Sequence, residues 1–546
     1  KISDITSGTL KEEYAVEAII SENDKQRRNE FFQFVDETVK NQTNENLSFL
    51  QICPQEVGYT MIVKDSDKTM KIFYVVQRIG FDDVSKIPCS ISNATKEHLI
   101  GHLPLAGVAA SLPSDESLAI EAWKKRTPGT IFRPLQENLL RKSGRAFCFL
   151  PLPLKTGLPV HVNGHFMLDH DSRRSLWETD KGYSYDWNHA LLKDTISHAY
   201  ISCLSFMKTH IFKEVYEQQS LAMAKLDLFN SYFPTLKDIN NDYWKALLKY
   251  VYQLLHDNEI DIFPSIKEQE EHHVELKWFP LKRSSDYFPS FFDNLSETNK
   301  SLIAPLQAMG MKIIKSPSEV QDAVSSAGLK LNQICPGTVL SFLLSYRESH
   351  EDSCKIEFNL HISRTNMMSM RNVLDFINFL NADQELYKNL QDLPLLVTND
   401  EFLRCFDHEN PIFLSKYCEL LQGSRDLFVH KDLVNEFDTV SFRKSGLFKD
   451  LQIQDLADCL PDSIDPHEFT SGKEIEWSLQ SPEAPNAMWV EMFWTMLHEN
   501  SMVKEKNGKE FCDQARFEQN VKVFDNWSLL PCRKNKTENK KIKRFL

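Results

Sequence analysis

Glycine spacing sets the first limit on this chain. Seventeen glycines are spread through 546 residues, and the two nearest neighbours, Gly101 and Gly107, stand six positions apart. A loop that cradles phosphate turns several backbone N–H groups onto one ligand and needs glycines roughly two to five positions apart to do so. The spacing therefore excludes a Walker-type loop, a Gly-x-Gly-x-x-Gly fingerprint and a Gly-x-Ser-x-Gly elbow. An Asp-x-Gly-x-Gly box fails too, because Asp180-Lys181-Gly182 is followed by Ser184 where a second glycine is needed.

Length adds a second limit, since 546 residues exceed what one hydrophobic core organises and imply several domains. A composition 42% hydrophobic and 26% charged is that of a folded globular protein, and a net charge of −14 repels phosphate backbones, so nucleic acid is not an expected partner. The basic run from Arg533 to Arg544 reads as a solvated end. Eleven cysteines without a Cys-x-x-Cys pair point to reduced thiols and a cytoplasmic setting, and give no zinc ribbon. The longest uncharged stretch, His98 to Ser114, is interrupted by Pro104 and Pro113 and falls short of the ~18–20 apolar residues of a span, so no membrane insertion is expected. The chain opens at Lys1 without an initiator Met and reads as an excerpt of a longer protein.

Periodicity predicts an α+β fold. Residues 12–20 and 29–39 carry apolar residues at helical spacing; 59–63 and 70–76 are β-rich runs around a polar turn; strand character returns at 107–112 and 145–150. Leu158 to Leu168 reads as a hairpin closed by Asn163-Gly164, the dipeptide suited to a type I′ turn, with His161 and His165 on opposite faces. Leu192, Ile196, Ala199, Cys203 and Phe206 mark a long helix capped near Asp186 or Asn188 and laid across the sheet. Helices are also expected around Trp244 to Leu254, 366–380, 448–460 and 488–497, with a strand at 393–398. The expected division is a mixed sheet covered by helices over 1–235, a mixed helical and strand domain over 236–430, and a mainly helical region with a basic tail over 431–546.

No written motif carries chemistry. His161, His165, Asp169 and His170 have ligand-type side chains, but the hairpin reading separates the imidazoles, so no metal is expected. Arg425 and His430 have the spacing of some helical ribonucleases, and the bland reading, with Leu427, Phe428 and Val429 as core, is preferred. The triplets Tyr232-Phe233-Pro234, Trp278-Phe279-Pro280 and Tyr287-Phe288-Pro289 read as the buried ends of strands or helices.

The run GRAFCFLPLPLKTGLPVHVNGHF, from Gly144 to Phe166 and continuing through Arg173-Arg174 to Leu176-Trp177, resembles the signature of the large repeats of the sacsin family. LPLLVTNDEFLRCF, from Leu393 to Phe406, and Trp527-Ser528-Leu529-Leu530-Pro531 are similar to two further blocks of those repeats. The resemblance implies a giant cytosolic co-chaperone in which each repeat begins with a GHKL-type ATP-binding domain like that of the heat-shock-ninety chaperones. This chain would begin after that domain, in keeping with its glycines. The family's J-domain His-Pro-Asp triplet has no counterpart, the nearest approach being Pro466-His467-Glu468.

The resulting expectation is a non-catalytic scaffold segment without a cofactor, whose partners are chaperones, client proteins and other domains of the same giant chain. The alternative is an accessory part of a GHKL-type ATPase, in which Arg145, Arg173 or Arg174 reaches the γ-phosphate of an upstream ATP, by analogy with heat-shock-ninety middle domains.

Overall fold

The computed structural model describes residues 2–4, 11–14, 16–45, 52–65, 70–92, 102–113, 144–169, 174–177, 181–213, 219–268, 274–281, 290–291, 302–314, 316–348, 356–357, 370–381, 390–438, 443, 445–469, 485–504 and 510–529. These residues form two compact units: Lys1–Asn294 with Gly310–Ile334, and Leu295–Met309 with Cys335–Leu546.

The first unit is built on a seven-stranded mixed sheet. Short strands β1 (Ile2–Asp4) and β2 (Lys11–Tyr14) pair with each other, outside it. The sheet itself contains β3 (Val16–Ile20), β4 (Gln55–Asp65), β5 (Met70–Ile79), β6 (Leu105–Leu112), β7 (Arg145–Cys148), β8 (Leu150–Lys155) and β9 (Val160–Gly164). Their order is β3-β4-β5-β6-β9-β7-β8, and every neighbouring pair is antiparallel except β7 with β9. Edge strand β8 reads Leu-Pro-Leu-Pro-Leu-Lys, and Pro151 and Pro153 bring no N–H to a ladder.

Two sequence expectations are corrected here. Residues 12–20, expected as a helix, are strand where described: 12–14 lie in β2, and 16–20 form β3, because Val16, Ile19 and Ile20 are β-branched and the whole segment finds a partner in β4, from Val16↔Asp65 to Ile20↔Met61. Asn163-Gly164 makes no turn: both residues lie in β9, with Asn163 opposite Gly107 of β6 and Gly164 opposite Ala106. The local turn preference of the dipeptide is overridden by ladders on both sides of the strand. The reversal occurs instead at Phe149, between β7 and β8, with φ of 58°.

One face of the sheet is covered by helices. Tyr183–Leu191 runs through a π-helical turn, Leu192–Ile196, into Ser197–Ile211, along the stretch where the sequence predicts a long helix. The helix starts at Tyr183 rather than near Asp186 or Asn188, so Asn188 is an interior residue. Tyr74 of β5 stacks on Phe206 with centroids 3.4 Å apart, and Val76, Val108, Ala110 and Val162 are buried on this side. Helix Asp242–Asp257 adds Trp244, Leu247 and Val251 to the same core. Buried phenols find carbonyls: Tyr200 Oη donates to Tyr232 O at 2.9 Å, Tyr252 Oη to Pro234 O at 2.9 Å, and Tyr232 Oη to Ser111 O at 2.8 Å. Tyr232-Phe233-Pro234 is thus core, and Trp278, on the strand Val274–Phe279 that pairs with Phe263–Glu268, packs edge-on against Phe212 and Phe229. The triplet at 287–289 lies outside the described residues, as do His170 and the basic run at 533–544.

The second unit has short strands and helices. The block at 393–406 makes a small hairpin, Leu396–Val397 against Phe402–Arg404, turned at Asn399-Asp400-Glu401. Helix Ala487–Glu499 supplies Trp489, Phe493 and Met496 to a core with Leu420 and Leu456, and Trp489 Nε1 donates to Leu420 O at 3.0 Å. Phe428 and Val429 are buried as expected, but Leu427 is exposed, and Arg425 is exposed while His430 is buried. Among the described residues, no helix is long and apolar enough to cross a membrane.

Candidate functional site

The face of the sheet turned away from the helix Ser197–Ile211 carries a trough of ≈310 Å³. Side chains alternate along a strand, so the register decides which residues meet there. Met61 lies opposite Phe73, Tyr59 opposite Val75, Gln77 opposite Gly107, Gly107 opposite Asn163, and Asn163 opposite Phe147. His161, opposite Ala109, sits two residues along β9 from Asn163. Strands β4, β5, β6 and β9, with Phe147 of β7 and Phe149 of the turn that follows it, build the trough.

Its walls are aromatic. Phe73 and Phe147 each place a ring centroid 5.8 Å from that of His161. Phe149 closes one end, its ring 4.5 Å from His165. With Leu150, Phe149 forms an apolar rim, the two side chains being 65% and 75% exposed. Positive φ is a sparsely populated backbone region for a bulky side chain, so the sheet holds this aromatic outward at a conformational cost.

The polar residues of the trough are held by the same segment. Phe149 N–H donates to Asn163 Oδ1 at 3.1 Å, and Arg145 N–H donates to His161 Nδ1 at 3.0 Å. A donated bond at Nδ1 puts the proton of the neutral ring on Nε2. Burial, reinforced by the nearby charges of Arg145 and Lys71, holds the His161 imidazole below its ordinary range, so the ring is neutral at pH 7. His165 is pushed further, to about 4, by burial and then by His102.

Two of the three predicted arginines are described. Arg145 opens β7 with an exposed side chain; Arg174 is exposed in a bend between Asp169 and Leu176, where Asp169 N–H bonds to Ser175 O at 2.9 Å; Arg173 lies outside the described residues. His161 and His165 keep different aromatic neighbours, the first Phe73 and Phe147, the second Phe149.

Sequence reasoning missed one titratable cluster, Asp82, Asp194 and His198. His198 Nε2 lies 2.7 Å from Asp82 Oδ2, and its Nδ1 lies 2.9 Å from the carbonyl of Asp194. The two acceptors sit on opposite ring nitrogens, so they hold an imidazolium rather than converge on one ion. The Asp194 carboxylate is already occupied by the N–H groups of Asp82 and Asp83, at 3.1 and 3.4 Å. Arg78 bonds Asp82 at 2.6 Å and Glu56 at 3.2 Å, which ties the clamp to β4 and β5. With 112 positions between Asp82 and Asp194, no local spacing announces it.

Gly144 to Phe166, the stretch whose resemblance is most specific, thus supplies Phe147, Phe149, His161 and Asn163 to the trough. Aligned over 571 positions, the chain is 26% identical to human sacsin, covering 97% of the chain. It is a sacsin-like segment. The sacsin-like chain spans 12% of the length of that relative. No family model matches it, and no solved structure does.

Proposed function

We propose that this sacsin-like segment is a non-catalytic protein-interaction scaffold in a giant, cytoplasmic, chaperone-type chain, and that it engages client proteins at the trough. The observation that carries the reading is the trough itself: aromatic walls, a rim of exposed Phe149 and Leu150, and a His161 whose Nδ1 lone pair, the one a base would use, is already taken by Arg145 N–H. Exposed aromatic groups beside a preformed depression contribute strongly to protein association, because they bury large area at small entropic cost.

The test is aggregation of a chemically reduced, unfolded protein in the presence of the whole chain. The reading predicts suppression at near-stoichiometric amounts, and its loss in a Phe149→Asp, Leu150→Asp double variant whose melting is unchanged. Absence of suppression by the unaltered chain would sink it. ATP turnover by a chain that carries the upstream ATP-binding domain together with this segment separates the accessory-ATPase alternative: turnover lost in Arg145→Ala or Arg174→Ala with folding unchanged would favour the alternative, and unchanged turnover would favour the scaffold.

A further inference from the structure

Three polar side chains in the trough have their acceptor atoms consumed from within. Asn163 Oδ1 is taken by Phe149 N–H and His161 Nδ1 by Arg145 N–H, and Gln77 Oε1 accepts from the Tyr59 hydroxyl at 3.0 Å. A backbone amide can only donate, so the first two bonds fix the orientation of the Asn163 amide and the tautomer of His161. The groups of these three side chains not yet engaged are N–H: Asn163 Nδ2, the Nε2–H of His161 and the Gln77 amide, while each amide oxygen keeps only its second lone pair. No carboxylate lines the trough among the described residues. Lys71 and Arg145 are exposed, and by strand alternation they share the face of Phe73 and Phe147.

This pattern selects among ligands. An interior peptide segment brings one N–H for each carbonyl and meets here only amide oxygens that already accept one bond, so its donors pair less well as they are desolvated. A terminal carboxylate is acceptor-only and negatively charged, the complement of donors beside two cations. The ≈310 Å³ volume is at the small end of ligand sites, ~300–1,000 Å³, and suits one large side chain with its carboxylate.

We propose that the trough captures the C-terminal carboxylate of an apolar peptide. The last side chain packs against Phe73, Phe147 and Phe149, while the carboxylate is received by the N–H groups of His161 and Asn163 in the positive field of Arg145 and Lys71. This rests on the protein-scaffold reading and names the ligand for it.

The test is calorimetry of the whole chain with N-acetyl-Leu-Phe, as the free acid and as the C-terminal amide. The acid should bind at least about tenfold more tightly than the amide, the worth of one charge-assisted hydrogen bond. Asn163→Asp keeps an acceptor for Phe149 N–H but replaces the donor with a negative charge, and should abolish the preference. Should that variant melt early, Arg145→Gln, an exposed change, should reduce acid affinity severalfold and leave amide affinity alone. Equal binding of acid and amide, or no binding of the acid to the unaltered chain, would overturn the assignment. If either result came with intact suppression of aggregation, the scaffold reading would stand and only the ligand would be wrong.

Discussion

Asn188 holds both backbone polar groups of Met167 at once, accepting from its N–H at 2.8 Å and donating to its carbonyl at 2.9 Å. The side chain is fully buried, and its neighbour Trp187 donates Nε1–H to His165 O at 2.8 Å. Helix Tyr183–Leu191 thereby fixes the chain as it leaves β9. Asn188→Ala strands the half-buried N–H and carbonyl of Met167, each costing ~1–3 kcal/mol. We expect the first unit to lose about 3 kcal/mol, seen as a fall in its denaturant midpoint with an unchanged slope; a loss below ~1 kcal/mol would contradict this account.

The His198 clamp makes a pH prediction. Burial lowers the affinity of this imidazole for its proton, but the bonds to Asp194 and the charge of Asp82 outweigh it, and the net shift is upward. A raised folded-state value means the stabilisation is fully present below the unfolded value, near 6.5, and fades as pH rises through the folded value. The melting difference between the unaltered protein and His198→Asn should therefore be largest at pH 5.5–6 and shrink in alkaline buffer. A difference that grows with pH would refute the sign.

Phe149 separates folding from binding. Asparagine tolerates the left-handed backbone region better than an aromatic residue does, and the Phe149 side chain is mostly exposed. Phe149→Asn should leave the melting temperature level or slightly raised, by up to about 1 kcal/mol of relieved strain, while client binding falls. Loss of stability with binding intact would place the ring in the core instead of the trough.

In the second unit, a Cβ on Gly423 would lie 1.8 Å from the carbonyl oxygen of Asp462, a contact only backbone movement relieves. Gly423→Ala should cost that unit ~1–3 kcal/mol, detectable as earlier proteolysis within 335–546 while the first unit's melting stays in place.

The sequence made some of this legible and hid the rest for physical reasons. Strands β4 and β5 were readable because they are rich in β-branched and aromatic residues, and β6 because it is an uncharged run of small apolar residues; the helix through Leu192 to Phe206 was readable because its apolar spacing survives the π-helical turn. Residues 16–20 were misread because helix and strand periods are hard to separate in so short a segment. Asn163-Gly164 misled because a dipeptide reports its own preference and not the strands on either side of it. Arg145, Phe149, His161 and Asn163 were all in view as parts of one recognisable run, but their convergence depends on Phe73 and Gln77, a strand pair away in the sheet and some 70 positions away in the chain.

The prolines of β8 bear on self-association. Where domains of one kind are strung together, each sees its neighbours at an effective concentration near millimolar, conditions that favour cross-domain zipping of sheets into misassembled aggregates. Pro151 and Pro153 deny the rim of this sheet two of the amide donors such zipping requires. An exposed apolar rim at Phe149 and Leu150, beside an edge poor in amide donors, leaves the sheet able to bury side chains against another molecule without adding strands to itself.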